Sequence, residues 1–451
     1  MTSSSFPSSS SADPLNSAST GLPGADQPGP SGSRYSTIFI FVTVFIDMIG
    51  VGLIWPVVPA LLQDVGHVDL ARATVIGGWM FAAYALAQFL GGPLMGNLSD
   101  AFGRRPLLLL AIGGLAIDYV FSALAPTIWL LIIGRAIAGF CGASHVIASA
   151  YLTDVTPPNE RARAFGMIGA AFGMGFVIGP AIGGLLGEFG PRVPFWAAAI
   201  LAGANLIFGY FVLPESLPAE KRRPFNWRRT NPFSVLKVFK GYPTVLPMTA
   251  VLLVYFFAGG IYPTLWSFWG IAAFGWSEAM IGATLALFGM MAALVEGVFS
   301  GPLVRRFGEA RIVILGLGVG TIGAIGFGFA SSLYMVLFLL VFVSVEGLVY
   351  PCLNALMTRE VPDDAQGELQ GGLSSLTNLA TLFSALFFTQ AFGWFARPDA
   401  EIPRPGAPFF IAALLMGIGL IMFLMLRPKN SGSNGLTLPR QAAKVAPQEG
   451  A

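Results

Sequence analysis

Apolar stretches of about 20 residues, separated by short polar gaps, recur from near residue 37 to residue 426. Twelve occur, over roughly 37–60, 74–96, 106–125, 128–150, 163–187, 194–213, 244–270, 279–301, 311–330, 333–357, 369–394 and 407–426. Each is long enough to cross a bilayer as a helix, so the pattern predicts an all-α membrane protein with twelve transmembrane helices. The longest polar connector, 214–243, divides them into two groups of six. A repeat supports the division: Gly96-x-x-x-Asp100-x-x-Gly103-Arg104-Arg105 returns, degraded, as Gly301-x-x-x-Arg305-Arg306-x-Gly308. The same frame at the same place in each group implies two related six-helix halves laid end to end. The expected organisation is a cytoplasmic tail over 1–34, an N-terminal half over 35–213, a cytoplasmic linker over 214–243, a C-terminal half over 244–427 and a second tail over 428–451.

Composition excludes a soluble globule: 55% of the 451 residues are hydrophobic and only 11% charged, with a mean hydropathy of +0.72. The net charge of +2 carries no signal for nucleic acid. The placement of the bases is more informative. If both termini lie inside, 20 of the 25 bases fall on the inner side; Arg72, Arg192, Arg397 and Arg404 fall outside, and Arg135 within a span. That asymmetry sets the orientation, with both termini cytoplasmic. The first 34 residues are rich in Ser, Pro and Gly and lack the basic and apolar segments of a secretory signal; a disordered tail is expected there and at the C-terminus. Cys141 and Cys352 sit in apolar runs of different halves, as buried small hydrophobes do, and imply neither metal nor disulfide.

Two motifs carry more than packing. In Gly96–Arg105 the glycines permit a tight reversal, and Asp100 with Arg104 and Arg105 places opposite charges at the membrane surface. In the fifth stretch, Gly175, Gly179 and Gly183 line one helix face, Pro180 removes a backbone hydrogen bond, and Gly184 follows; such a helix packs closely on a neighbour. Ionisable groups inside the stretches are few: Asp47, Asp118, Arg135, His145, Glu296 and Glu346. A mid-span arginine costs about 2.5–3.5 kcal/mol on insertion scales, so Arg135 should face a partner or water. Burial favours the neutral form of a carboxyl and a neighbouring cation the charged form, so these are the groups able to couple a proton to another ligand. Bonding to a neighbouring helix is the alternative for Asp47 and Asp118, a place beside a loop is the alternative for Glu296 and Glu346, and for His145 an interhelical hydrogen bond is the favoured reading.

The Gly96–Arg105 loop resembles the signature loop of the major facilitator superfamily, which implies that Asp100 and the arginines form a latch on the cytoplasmic side; Ala101 replaces a usual base. Gly175-x-x-x-Gly179-Pro180-x-x-Gly183-Gly184 is similar to the motif of proton-driven drug exporters, and Arg135-x-x-x-Gly139 to their arginine motif. Segments around Asp47, Gly113–Tyr119, Gly134–Ala143, Tyr151–Asp154, Pro351–Met357 and Gln366–Gly371 resemble tetracycline-efflux proteins over nearly all of 35–427. The resemblance implies a proton-coupled antiporter that exports an amphipathic drug-like compound, tetracycline being one candidate, with Asp47, Asp118 and Arg135 functional. Departures concentrate in the second half. Gly320 stands where those exporters carry a ninth-span acid, Ala292 at their eighth-span histidine and Glu296 at their glutamine, and the seventh span lacks their amides. Glu296 or Glu346 is therefore expected to take the second-half coupling role.

No nucleotide-binding loop is present, so ATP is not the expected energy source, and no cofactor or metal is expected. The partners implied are a small-molecule substrate, protons and the lipid bilayer, with no nucleic acid and a monomeric chain in the inner membrane. The rivals are a metabolite importer or exporter of the same fold and a non-transporting receptor or scaffold.

Overall fold

The computed structural model describes residues 33–142, 144–230, 238–362, 365–397 and 404–426. Both expected tails, apart from their edges at 33–34, lie outside them, as do residues 231–237 of the linker. Among the described residues, twelve helices are long and apolar enough to cross a membrane: Ile38–Gly66, Leu70–Phe102, Arg104–Leu124, Ile128–Val155, Arg163–Gly187, Val193–Val212, Leu246–Phe274, Glu278–Phe307, Glu309–Phe329, Leu333–Thr358, Gln366–Phe395 and Ala407–Met425. They are called spans 1 to 12 below.

Several spans outrun the apolar stretches read from the sequence, because their polar ends stay helical beyond the hydrocarbon region. Span 2 begins at an Asp69 cap that accepts Arg72 N at 2.8 Å. It ends at Gly103, whose φ of +105° is a conformation that only glycine adopts readily. Gly308 repeats this at +76° after span 8, which makes the internal repeat a repeat of backbone geometry as well as of letters.

Among the described residues, four spans are interrupted near their middles. Span 1 passes through a 3-10 turn at Trp55–Val57 ahead of Pro59, and span 7 changes helix at Gly260. Span 8 contains a π-helical turn at Val295–Phe299, and span 10 a 3-10 segment at Ser344–Leu348. Glu296 lies in the first of these last two and Glu346 in the second, so both second-half acids stand where the regular ladder is broken.

Span 5 packs on span 1 and span 2 on span 4 within the first half, while the pairs of span 5 with span 8 and span 2 with span 11 carry the contact between halves. At the end bearing the loops after spans 1, 3, 5, 7, 9 and 11, one continuous core runs from Leu53, Leu61 and Phe195 to Trp269, Phe327 and Phe409. At the other end, which carries the repeat loops and most bases, the core is two separate clusters, one in each half. Glycines tell the same story. A side chain at Gly184 would press on Gly282 Cα at 3.0 Å, whereas Gly92, Gly166, Gly169, Gly173, Gly297 and Gly301 face open space. Among the described residues, two hydrogen bonds join the halves at the closed end, Ser267 Oγ to Trp55 O at 3.0 Å and Ala279 N to Glu188 Oε1 at 3.1 Å. The bundle is sealed at one end and parted at the basic end.

Candidate functional site

Between the halves lies a cavity of two lobes. One, of about 400 Å³, is bounded mainly by the first half, and the other, of about 700 Å³, by the second. Trp55, Phe176, Pro263 and Thr381 line both. Trp55 meets Phe176 edge-on with ring centroids 5.2 Å apart, forming the partition. The 3-10 turn of span 1 is what swings Trp55 into this place.

Asp47, Arg135 and His145 all line the smaller lobe, together with Tyr84, Gln88 and Tyr119. Arg135, from span 4, forms an ion pair with Asp118 of span 3, and both are buried. Ser122 Oγ donates to the other oxygen of Asp118 at 3.5 Å, and Gly134 leaves room for it, since a Cβ there would stand 2.6 Å away. Asp118 thus lies behind Arg135 and orients it, while the guanidinium sits 6.0 Å from the centre of the Tyr119 ring. Asp47 is buried too, and its Oδ1 accepts from Asn205 Nδ2 at 3.3 Å. His145 Nδ1 donates to Gly142 O at 3.1 Å on its own helix. The hydrogen bond found for His145 is thus local, within span 4.

Glu346 and Glu296 both line the larger lobe. Glu346 is only 5% exposed, and its Oε2 has no hydrogen-bond partner among the described residues. Its carboxylate fills the space beside Gly320 of span 9, where a Cβ would lie 2.8 Å from Oε2. An acid on span 9 and this acid on span 10 would therefore compete for one volume, which accounts for the glycine at 320. Glu296 is exposed to the cavity mouth and rests against Gly347, at 2.9 Å from where a Cβ would be.

Gly175, Gly179 and Gly183 pack on span 1: a Cβ at Gly179 would stand 2.8 Å from Gly52 Cα, and one at Gly183 would strike the Leu53 carbonyl. Gly184 faces span 8 instead. The motif therefore packs span 5 on span 1 within its half and, through Gly184, on span 8 across the closed seam.

The charged loop after span 2 is built inside the first half. Arg104 Nη1 reaches Asp100 at 2.5 Å and Ser99 Oγ at 2.6 Å, and its Nε reaches Asp154 at the end of span 4 at 3.2 Å. Arg105 Nη2 donates to Tyr210 O at 2.7 Å. Two members were not assigned to this cluster from sequence. Asp154 stands in a quoted motif without a partner in view, and Glu215, just past span 6, accepts Arg104 N at 2.8 Å as a cap on span 3. Gly96 lies near Val146, 3.6 Å from a Cβ there, and Gly103 opens the space that Glu215 occupies. The second half holds the same arrangement with the signs exchanged: Glu309 at the start of span 9 pairs with Arg359 just past span 10.

A profile of the Major Facilitator Superfamily matches residues 40–385, and again 271–449. The chain belongs to the Major Facilitator Superfamily. It is a multi-pass membrane transporter and not an enzyme, and it carries a small-molecule substrate. It is 40% identical over 357 residues to the class C tetracycline resistance protein of Escherichia coli, covering 79% of this chain and 89% of that one. It is 28% identical over 410 residues to multidrug resistance protein 2 of Bacillus subtilis (strain 168), covering 90% and 98%. The structure of the human organic anion transporter MFSD10 (TETRAN) superposes with a TM-score of 0.66 at 23% identity, covering 87% and 99%, and at that identity shows the fold alone. Within this transporter, Cys141 and Cys352 are free and buried.

Proposed function

We propose that this transporter is a proton-coupled antiporter that exports an amphipathic, drug-like compound, with a tetracycline among the candidates. The observation that carries the reading is the two-lobed cavity itself, with aromatic walls, buried Asp47 beside Arg135 in the first-half lobe and buried Glu346 in the second-half lobe. The resistance named in the relatives at 40% and 28% identity supports export of a drug. The charge placement supports a basic end in the cytoplasm, with linker and tails on that side; the open end then faces inward, ready to receive a cytoplasmic substrate. The surrounding membrane is the inner membrane, and the chain acts as a monomer.

Asp47, Asp118 and Arg135 are the first-half coupling groups and Glu346, with Glu296, the second-half ones. Alternating access follows from the seams. Spans 2, 5, 8 and 11 meet through small residues at the closed end, so rocking one half against the other exchanges the sealed end for the open one. The Arg104 cluster stays within its half and acts as a rigid knuckle at the moving edge, since its partners all lie between Gly96 and Glu215. Inverted membrane vesicles test the reading. Imposing an inward-acid gradient should drive accumulation of labelled tetracycline or of a multidrug dye, accompanied by proton efflux. Asp47→Asn should abolish both while the purified protein remains folded. Accumulation that ignores the proton gradient would sink the coupling.

A further inference from the structure

We propose that Glu346, with Glu296 beside it, forms a subsite in the larger lobe that binds the cationic group of an aromatic substrate. This deepens the export reading and rests on it for the word substrate. Three features lead here. Glu346 Oε2 is buried and unpartnered among the described residues, yet its carboxylate borders a lobe of about 700 Å³. A buried carboxylate without a partner is costly, and a proton or a cation relieves it. Glu296 brings a second carboxylate to the same wall, against Gly347. Tyr262 Oη, also buried and unpartnered among the described residues, lines the lobe as well.

The walls suit a cation that takes the proton's place at this acid. Rings of Tyr255, Phe256, Tyr262, Trp266, Phe288 and Tyr350 line the lobe, with Phe256 edge-on to Tyr350 at 5.4 Å. Aromatic faces attract a cation, and they form a cage sized for a drug-like body, neither of which a proton requires. Among the described residues none lining this lobe is basic, while the smaller lobe presents Arg135. The cavity is therefore polarised, with a cation-seeking lobe in the second half and an arginine in the first. The space beside Glu346 is kept by Gly320, where a Cβ would stand 2.8 Å from Oε2; one at Gly259 would only touch Oε1, at 3.7 Å. The chemistry fits a lipophilic amine or other organic cation whose charge sits next to aromatic rings.

The test is direct binding to the full chain in lipid nanodiscs, with tetraphenylphosphonium as the permanent cation and triphenylphosphine oxide as a neutral analogue of similar body. The intact protein should bind the cation more tightly than the oxide. Glu346→Gln should weaken the cation about tenfold or more, the size of a lost charge-assisted contact, and leave the oxide unchanged. Glu346→Asp should recover part of the loss, and Glu296→Gln, at an exposed position, should cost less than Glu346→Gln; tryptophan fluorescence on heating checks that each variant is folded. If the intact protein shows no preference for the cation, or if the Glu346→Gln/Glu296→Gln double variant binds it to within about twofold of the parent, the subsite is refuted. Loss of proton release with cation binding intact would assign these acids to protons alone and refute it equally. Charge-dependent binding in a protein that exports nothing in vesicles would count against the transport reading and leave the subsite standing.

Discussion

Neutralising Asp118 should destabilise the protein more than almost any other single change, and neutralising Arg135 with it should undo much of that loss. Asp118 is fully buried and Arg135, though it borders the smaller lobe, is only 7% exposed, so neither charge is well solvated. Two unit charges within about 4 Å attract by about 4 kcal/mol at an effective dielectric of ~20. Asp118→Asn leaves Arg135 buried without a counter-charge, which costs about 3–5 kcal/mol, as does Arg135→Gln for Asp118. In Asp118→Asn/Arg135→Gln both charges are gone, and two amides can share a hydrogen bond. The double variant should then lose less than the sum of the singles by about 2–3 kcal/mol. Titration of the purified protein with dodecyl sulfate in mixed micelles, followed by tryptophan fluorescence, yields the four stabilities of the cycle. A coupling below about 0.5 kcal/mol would mean that the two side chains do not act as a buried pair. The double variant should still fail to transport, because stability needs only charge balance whereas coupling needs the charges themselves.

Other changes separate the two repeat loops and the seam. Arg104→Ala removes a buried arginine from Asp100, Ser99 and Asp154 and should cost about 2–3 kcal/mol, measured in the same titration, whereas Arg359→Ala, whose side chain is 62% exposed, should cost less than about 1 kcal/mol. Glu215→Ala strips the acceptor from Arg104 N at the head of span 3 and should cost about 1 kcal/mol, with faster amide exchange over residues 104–107. Gly282→Val places a side chain against Gly184 and the Pro180 carbonyl; it should cost about 1–3 kcal/mol and speed hydrogen exchange at the closed end of span 8.

Most of the fold was legible because a bilayer tolerates so few backbone solutions. Twelve apolar stretches, two halves and the intramembrane ionisable residues follow from composition and spacing, and Arg135 and Asp118 read as functional simply because lipid penalises them. Partners were harder to read. Nothing in the local sequence says that Arg104 reaches Asp154, 50 residues on, or that Glu215 past span 6 caps span 3. Those pairings are set by how helices cross, which depends on glycines whose neighbours are invisible in one dimension. The linker and tails stay an expectation from charge placement, which fixes a side of the membrane and not a conformation.

Helix interruptions were the least legible feature, and they matter most to the cavity. Val295–Phe299 and Ser344–Leu348 contain no proline, so no breaker announces them. A regular helix would hold Glu296 and Glu346 at fixed angles set by 3.6 residues per turn. A π turn inserts a residue and a 3-10 segment tightens one, so each shifts the register of everything beyond it. These two shifts lie side by side in the fold, and Gly347 lets the Glu296 side chain meet the backbone beside Glu346. Irregular backbone inside a membrane is tolerated only where it is buried in protein or borders a wet cavity, and this pair borders the larger lobe. The small residue at 320 then has a physical reading: it is vacant because the carboxyl has come from the adjacent helix, carried there by a change of helical register that the order of residues alone does not display.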